Sequence, residues 1–326
     1  MPPNAKPDPQ EFVEVVRSLE QERGNPIWCM AHCSSRSHIC GTTMSSVYRD
    51  RQRTGQGERI ELLLHSGGGH PDIAFKVMKF FRRRFKTVNV IVPLRAKSAA
   101  TLMALGADKV FMGELAELGP VDIQIDDSYE HGEKSFSPLD EFKSLDFLRE
   151  SSIDGMDYYA NLMHMQYGVS IKEGLEASVP LIAELMKPIF AQIDPIKMGG
   201  YRRDIAIGEE YAKRMLALTG NPMAPQIVRK MVWDYPSHGF CIDFEEASEL
   251  GLPVERLPET QDHKICEAIL ALRGSEYHGY VSTSRNAVQQ QSKPVRASRT
   301  KPKTRARTSR GYVNGHGNHS QGDSTR

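Results

Sequence analysis

The chain is expected to fold as an α/β protein organised on a parallel sheet, and three stretches carry that expectation. Ile60–Leu64 is an apolar, strand-like run that ends in His65-Ser66-Gly67-Gly68-Gly69. A second apolar run, Val88–Leu94, follows the amphipathic segment Ile73–Phe85. It passes through Arg95-Ala96-Lys97-Ser98 into the helix-favouring stretch Ala99–Gly106. Strand, glycine turn, helix, strand, serine turn and helix make a βαβα unit, which implies parallel strands joined by right-handed crossovers.

The remaining elements follow in order. Residues 1–10 are proline-rich and expected to be disordered. Glu11–Arg23 places Phe12, Val15, Val16 and Leu19 at helical spacing. Pro26–Cys33 reads as the first strand, and the polar stretch Ser34–Gly57 leads to the second. The helix over Ile73–Phe85 buries Ile73, Phe75, Val77, Met78 and Phe81, with Arg82-Arg83-Arg84 as its solvated end. Asp108–Met112 is a third short strand, before the turn Gly119-Pro120-Val121-Asp122. Between about 127 and 191 strand character is low, and Pro138–Glu150, Met156–Tyr167 and Ile171–Ala191 read as helices with breaks between them. Such an insertion suits a lid, a groove wall or a subunit contact. Ile193–Arg203 reads as irregular, followed by helices over Ile207–Leu218 and Pro225–Trp233 and a turn at Tyr235–Ile242. Phe244–Leu250, stopped by Gly251, and His263–Leu272 are the last helices expected. The folded body is therefore placed at residues 11–272. Residues 273–326 read as a basic, low-complexity, disordered tail with too few large apolar side chains for a core.

Composition narrows the function. A length of 326 residues with 39% hydrophobic residues allows a large core. The net charge of +1 conceals nine Lys/Arg without a single Asp/Glu over Arg285–Arg310, so the rest of the chain is acidic. No apolar run approaches the ~20 residues needed to span a bilayer, and the first ten residues contain no signal-peptide core. A cytoplasmic location without a membrane span is expected. The five cysteines suggest no disulfide framework. Cys29, His32, Cys33, His38 and Cys40 cluster in sequence, but their spacing matches no compact zinc motif, so no metal is assigned.

The chemistry is concentrated at the serine turn. A serine that ends a strand and starts a helix presents its hydroxyl above the sheet, and the next N–H, that of Ala99, lies beside any oxyanion formed there. Gly68 or Gly69 is placed to supply the second donor, because glycine lets bare backbone approach a ligand closely. Ala99 and Ala100 leave room for a substrate chain. Taken singly, a serine before a helix is also an ordinary N-cap, and three glycines after a strand are also an ordinary turn.

Leu64–Gly69, Ala96–Gly113 and Glu117–Gln124 together resemble the serine dehydrogenase proteinase family, which is related to signal peptide peptidase A and the Clp protease proteolytic subunit. The resemblance runs from about Glu11 to Pro258. It implies a Clp/crotonase-like fold of repeated ββα and βαβ units carrying the helical insertion, a Ser98 nucleophile and a homo-oligomer. The chain departs from the Clp proteolytic subunit where that protein has its catalytic histidine, since Gly119–Gln124 contains none.

The general base is open at this stage. Lys97 adjoins Ser98, but neighbouring side chains leave the backbone in different directions. Pro195–Tyr201 resembles the lysine-bearing stretch of signal peptide peptidases, which makes Lys197 the first candidate; its pKa would have to fall by desolvation. His238, in Tyr235-Pro236-Ser237-His238-Gly239, is the alternative and needs less tuning. Asp122 is placed to orient either base.

The resulting expectation is a serine endopeptidase acting on peptides or proteins, with Ser98 as nucleophile, Gly68, Gly69 and Ala99 as oxyanion donors, and neither metal nor organic cofactor. Two other classes compete with it. A crotonase-type acyl-CoA enzyme uses a similar pair of backbone donors but needs no serine at the turn. A non-enzymatic scaffold would use the basic tail for nonspecific contact with nucleic acid.

Overall fold

The computed structural model describes residues 9–34, 36–122, 125–126, 135–272 and 274–281. Helix α1 (Pro9–Arg23) precedes strand β1 (Ile27–His32), α2 (Gly41–Asp50) and β2 (Gly57–His65). Then come α3 (Pro71–Arg82), β3 (Phe85–Val92), the short β4 (Arg95–Ala96), α4 (Ala99–Leu105), β5 (Lys109–Met112) and β6 (Glu117–Leu118). A small antiparallel pair, β7 (Ile125–Asp126) and β8 (Ser135–Phe136), leads to helices α5 (Pro138–Tyr167), α6 (Ile171–Phe190) and α7 (Pro195–Ala217). The described chain closes with α8 (Ala224–Arg229), a π-turn at Lys230–Asp234, α9 (Phe244–Glu249), β9 (Val254–Arg256), α10 (Glu259–Ala271) and β10 (Glu276–Tyr280).

Six strands form the main sheet in the order β10-β1-β2-β3-β5-β9, parallel throughout except for β10, which runs antiparallel to β1. From β1 to β5 each crossover steps one strand in the same direction. The right-handed rule therefore puts their helices on one face. On that face Trp28, Met30, Leu62, Leu64, Val90 and Val92 pack with α3, α4 and the end of α7. The opposite face, carrying Ile27, Cys29, Ala31, Leu63 and Ile91, is covered by α1 and α10. Central strands buried on both sides have apolar runs without alternation, as Ile60–Leu64 has (only Glu61, paired with Arg23, interrupts it).

The structure corrects four boundaries. The expected break between Glu150 and Met156 is absent: α5 is one helix of 30 residues. Its Gly155 lies where a Cβ would meet the Ile182 side chain of α6 at 2.9 Å, so this glycine serves helix contact rather than a break. Helix α7 begins at Pro195 rather than Ile207, because Asp194 caps it by accepting the Ile196 and Lys197 N–H groups and proline suits the first turn. Tyr235–Ile242 enters no strand; Ile242 makes a single antiparallel bridge to Leu118.

The fourth correction concerns the end of the folded body. The boundary at 272 falls short, since β10 pairs with β1 over five residues and buries Tyr277, Tyr280 and Val281. Asp50 anchors it, taking the Tyr280 N–H (3.4 Å) and the Trp28 indole N–H (3.3 Å) on one oxygen. The basic stretch Arg285–Arg310 lies outside the described residues. No helix among the described residues is long and apolar enough to cross a membrane.

Candidate active site

Ser98 occupies the turn between β4 and α4 with φ 50° and ψ −118°, the one non-glycine positive φ among the described residues. Its side chain does not cap α4. The ordinary N-cap explanation for a serine here is therefore set aside. Backbone held in so sparsely populated a region costs about 1–3 kcal/mol and needs surroundings that enforce it.

Those surroundings come from the glycine loop and from β6. The Ser66 N–H donates to the Arg95 carbonyl, and the Lys97 N–H donates to the Ser66 carbonyl, both at 3.0 Å. A Cβ on Gly68, whose φ is +112°, would lie 2.7 Å from Ser98 Cβ and 2.9 Å from the Lys97 carbonyl oxygen. Only glycine lets this peptide sit against the serine. Gly69 is equally constrained, because a Cβ there would strike the backbone of Ile39. On the other side, Thr101 Oγ1 donates to the Ala96 carbonyl (2.6 Å) and accepts the Gly119 N–H (3.1 Å).

The backbone donors divide by what they already hold. The Gly68 N–H donates to Ser66 Oγ at 3.1 Å, and Ser66 Oγ lies 2.7 Å from His32 Nδ1. Gly68 is thus a packing and bracing residue in this conformation. The Gly69 and Ala99 N–H groups have no hydrogen-bond acceptor among the described residues. His65, which precedes the loop, is held down to about 4, first by burial and then by the charge of Arg95.

The candidate bases separate on geometry. Lys97 Nζ lies 2.9 Å from Glu117 Oε2 and donates to the carbonyls of Phe240 (2.9 Å) and Leu118 (3.1 Å). Three acceptors use all three ammonium donors, so Lys97 is a structural tie. Lys197 stands in the first turn of α7, with Nζ 5.7 Å from the centre of the Tyr201 ring. The other end of that helix packs on α4, where Met215 Sδ lies 3.1 Å from a Cβ built on Gly106. Lys197 is 18 residues, or about 27 Å of helix, from that contact.

His238 has a different setting. Its Nδ1 lies 2.8 Å from Asp122 Oδ1, and Asp122 Oδ2 accepts the Ser137 hydroxyl at 2.8 Å. A carboxylate accepts, so the ring N–H directed at Asp122 is on Nδ1, and the neutral tautomer that makes this bond has Nε2 as its acceptor. Asp122 is buried and His238 nearly so, beside a cavity of about 290 Å³ lined by Ser137, Leu139, Lys143, Tyr235 and Pro236 among others. The two segments carrying this pair meet at Lys97, which bonds both Leu118 and Phe240 next to Ser98. No hydrogen bond joins Ser98 to His238 or Lys197 in this structure. The contact between residues 122 and 238 joins segments 116 residues apart, and no local sequence pattern encodes it.

Residues 10–131 match the ClpP-like SDH-type serine proteinase family. The matched segment contains Gly68, Gly69, Ser98, Ala99 and Asp122, whereas Lys197 and His238 lie beyond it. Over 122 residues the chain is 30% identical to uncharacterized protein MJ0137 of Methanocaldococcus jannaschii, covering 35% of this chain and 43% of that protein. MJ1495 of the same organism is 26% identical over 122 residues, covering 35% and 42%. The chain thus spans less than half the length of these curated relatives. Among solved structures it is similar to two mutant forms of the 1510-N membrane-bound stomatin-specific protease, one of them in complex with a substrate peptide. The first has 13% identity, a TM-score of 0.38 and coverage of 79% of this chain and 94% of that one. The peptide complex has 12% identity, a TM-score of 0.39 and coverage of 79% and 89%.

Proposed function

We propose that the chain is a serine peptidase in which Ser98 is the nucleophile, His238 the general base and Asp122 the group that orients it. The Asp122–His238 hydrogen bond, made by two segments that meet beside the strained serine turn, is the observation that supports this choice over Lys197. His238 Nε2 takes the Ser98 proton as Oγ bonds the substrate carbonyl carbon. The carbonyl oxygen, now negative, receives the N–H groups of Ala99 and Gly69. The tetrahedral intermediate then expels the amine, which leaves with the proton held on Nε2. Water repeats the cycle on the acyl-enzyme and restores Ser98. The form of the activity proposed is endopeptidase cleavage of peptide or protein substrates.

Fluorophosphonate labelling and hydrolysis of a fluorescent casein test this reading. Labelling should disappear in Ser98→Ala. Loss of the base should lower casein turnover by roughly 10²- to 10⁴-fold in His238→Ala, with Lys197→Ala close to wild type. The reverse pattern moves the base to Lys197. Wild-type labelling in Ser98→Ala removes the serine mechanism and leaves the acyl-CoA reading, which needs no serine.

A further inference from the structure

We propose that His32, His278 and Glu276 form a binding site for a divalent transition cation, zinc by ligand type. One ligand atom from each of these three residues lies within 4.8 Å of the others. They come together through strand register. In the β1–β10 pair His32 stands opposite Glu276, and His278 stands opposite Met30, two residues along. Side chains alternate across a strand, so all three project from the same face of the sheet. Two imidazoles and a carboxylate are a recognised zinc donor set that leaves a fourth position open.

The two rings are already aimed at one point. His32 Nε2 and His278 Nε2 face each other at 2.5 Å, with the ring planes at 88°. Around a tetrahedral ion with Zn–N of about 2.0–2.1 Å the two nitrogens stand roughly 3.3 Å apart. An opening of less than ~1 Å therefore admits the metal. The other nitrogen of His32 is held by Ser66 Oγ at 2.7 Å, the kind of outer contact that fixes the tautomer of a ligating imidazole. Metal on Nε2 puts the remaining proton on Nδ1, from which it is donated to Ser66. His32 is buried, whereas Glu276 is exposed at the outer strand, which gives the ion its entry. The linear spacing of Cys29, His32, Cys33, His38 and Cys40 does not show this set, because two of its three ligands lie beyond residue 272.

The site is independent of the hydrolytic reading, and its test reads metal directly. The full chain, stripped with chelator, is titrated with Co²⁺ and followed by visible absorption and equilibrium dialysis. One Co²⁺ per chain, displaced by Zn²⁺, is expected. His278→Asn should weaken binding by more than the roughly 10–100-fold that loss of an outer partner costs, and the exposed Glu276→Gln should weaken it too. His70→Asn, altering the exposed His38–His70 pair 5.9 Å apart, should leave it unchanged. Thermal melts of the metal-free variants check their folding. No stoichiometric binding overturns the proposal, as does binding that survives both ligand variants or is lost in His70→Asn.

Discussion

Ser98 and His65 show what single residues contribute here. Ser98 spends backbone energy to expose its hydroxyl, and Gly68 makes that possible by lacking a Cβ. The glycine loop and the serine turn were legible in the sequence because they are local signals, whereas the positive φ of Ser98 and its close approach to Gly68 were not. His65 has a consequence for stability. Its folded pKa, about 4, lies below the ordinary 6.5 because burial disfavours the charged ring, and its Nδ1 is buried without a partner. Between those values the unfolded chain binds more protons than the native one, so stability is complete above about pH 6.5 and falls as pH drops toward 4. The two-and-a-half-unit gap corresponds to at most roughly 3 kcal/mol. Urea unfolding at about pH 4.5 and about pH 7 should show this acid loss in the wild type. His65→Leu should shrink the difference. An unchanged pH dependence would mean that other groups carry it.

At the scale of elements, β10 is decisive for the sheet edge. A cutoff drawn from apolar content ends the domain at 272, since Glu276-Tyr277-His278-Gly279-Tyr280 is too short and polar to announce a strand. The strand exists because β1 offers an unpaired edge and because Phe12 receives the Tyr277 ring at 5.1 Å between centroids. Removing a buried aromatic of this kind costs about 3–5 kcal/mol. A chain ending at Val281 should therefore melt like the full chain, while one ending at Gly274 should lose several degrees or fail to fold. Equal melting of the two would show that β10 adds nothing. Helix α7 teaches a similar lesson: the Asp194-Pro195 start signal was present, but two glycines at 199 and 200 masked it.

For the whole molecule, the α5–α6 pair is the feature that a monomer explains least. Gly174 lets the helices touch, with a built Cβ 2.9 Å from Ala160 Cα. Their outer surfaces nevertheless leave Phe147, Tyr158, Met165 and Leu185 more than half exposed. Exposed apolar surface on this scale suits cover by another chain. We infer that a second copy supplies it, in a homo-oligomer held through the insertion. Sedimentation at micromolar concentration should give a species larger than the monomer, and Phe147→Glu with Met165→Glu should shift it to monomer. A wild-type monomer throughout the concentration range would exclude this assembly.

The sequence by itself determined the α/β class, a parallel βαβα unit, the serine turn and the glycine loop before it. Each of these depends on periodicity or on neighbours within a few tens of residues, where the chain's own stereochemistry decides. Only the tertiary structure decided which base candidate meets Asp122, which glycine N–H remains available, and that His32 shares a point in space with His278. Asp122 and His238 are 116 residues apart, and His32 and His278 are 246 apart. Contacts over such separations follow from how the layers pack and how an edge strand registers, which no local pattern encodes.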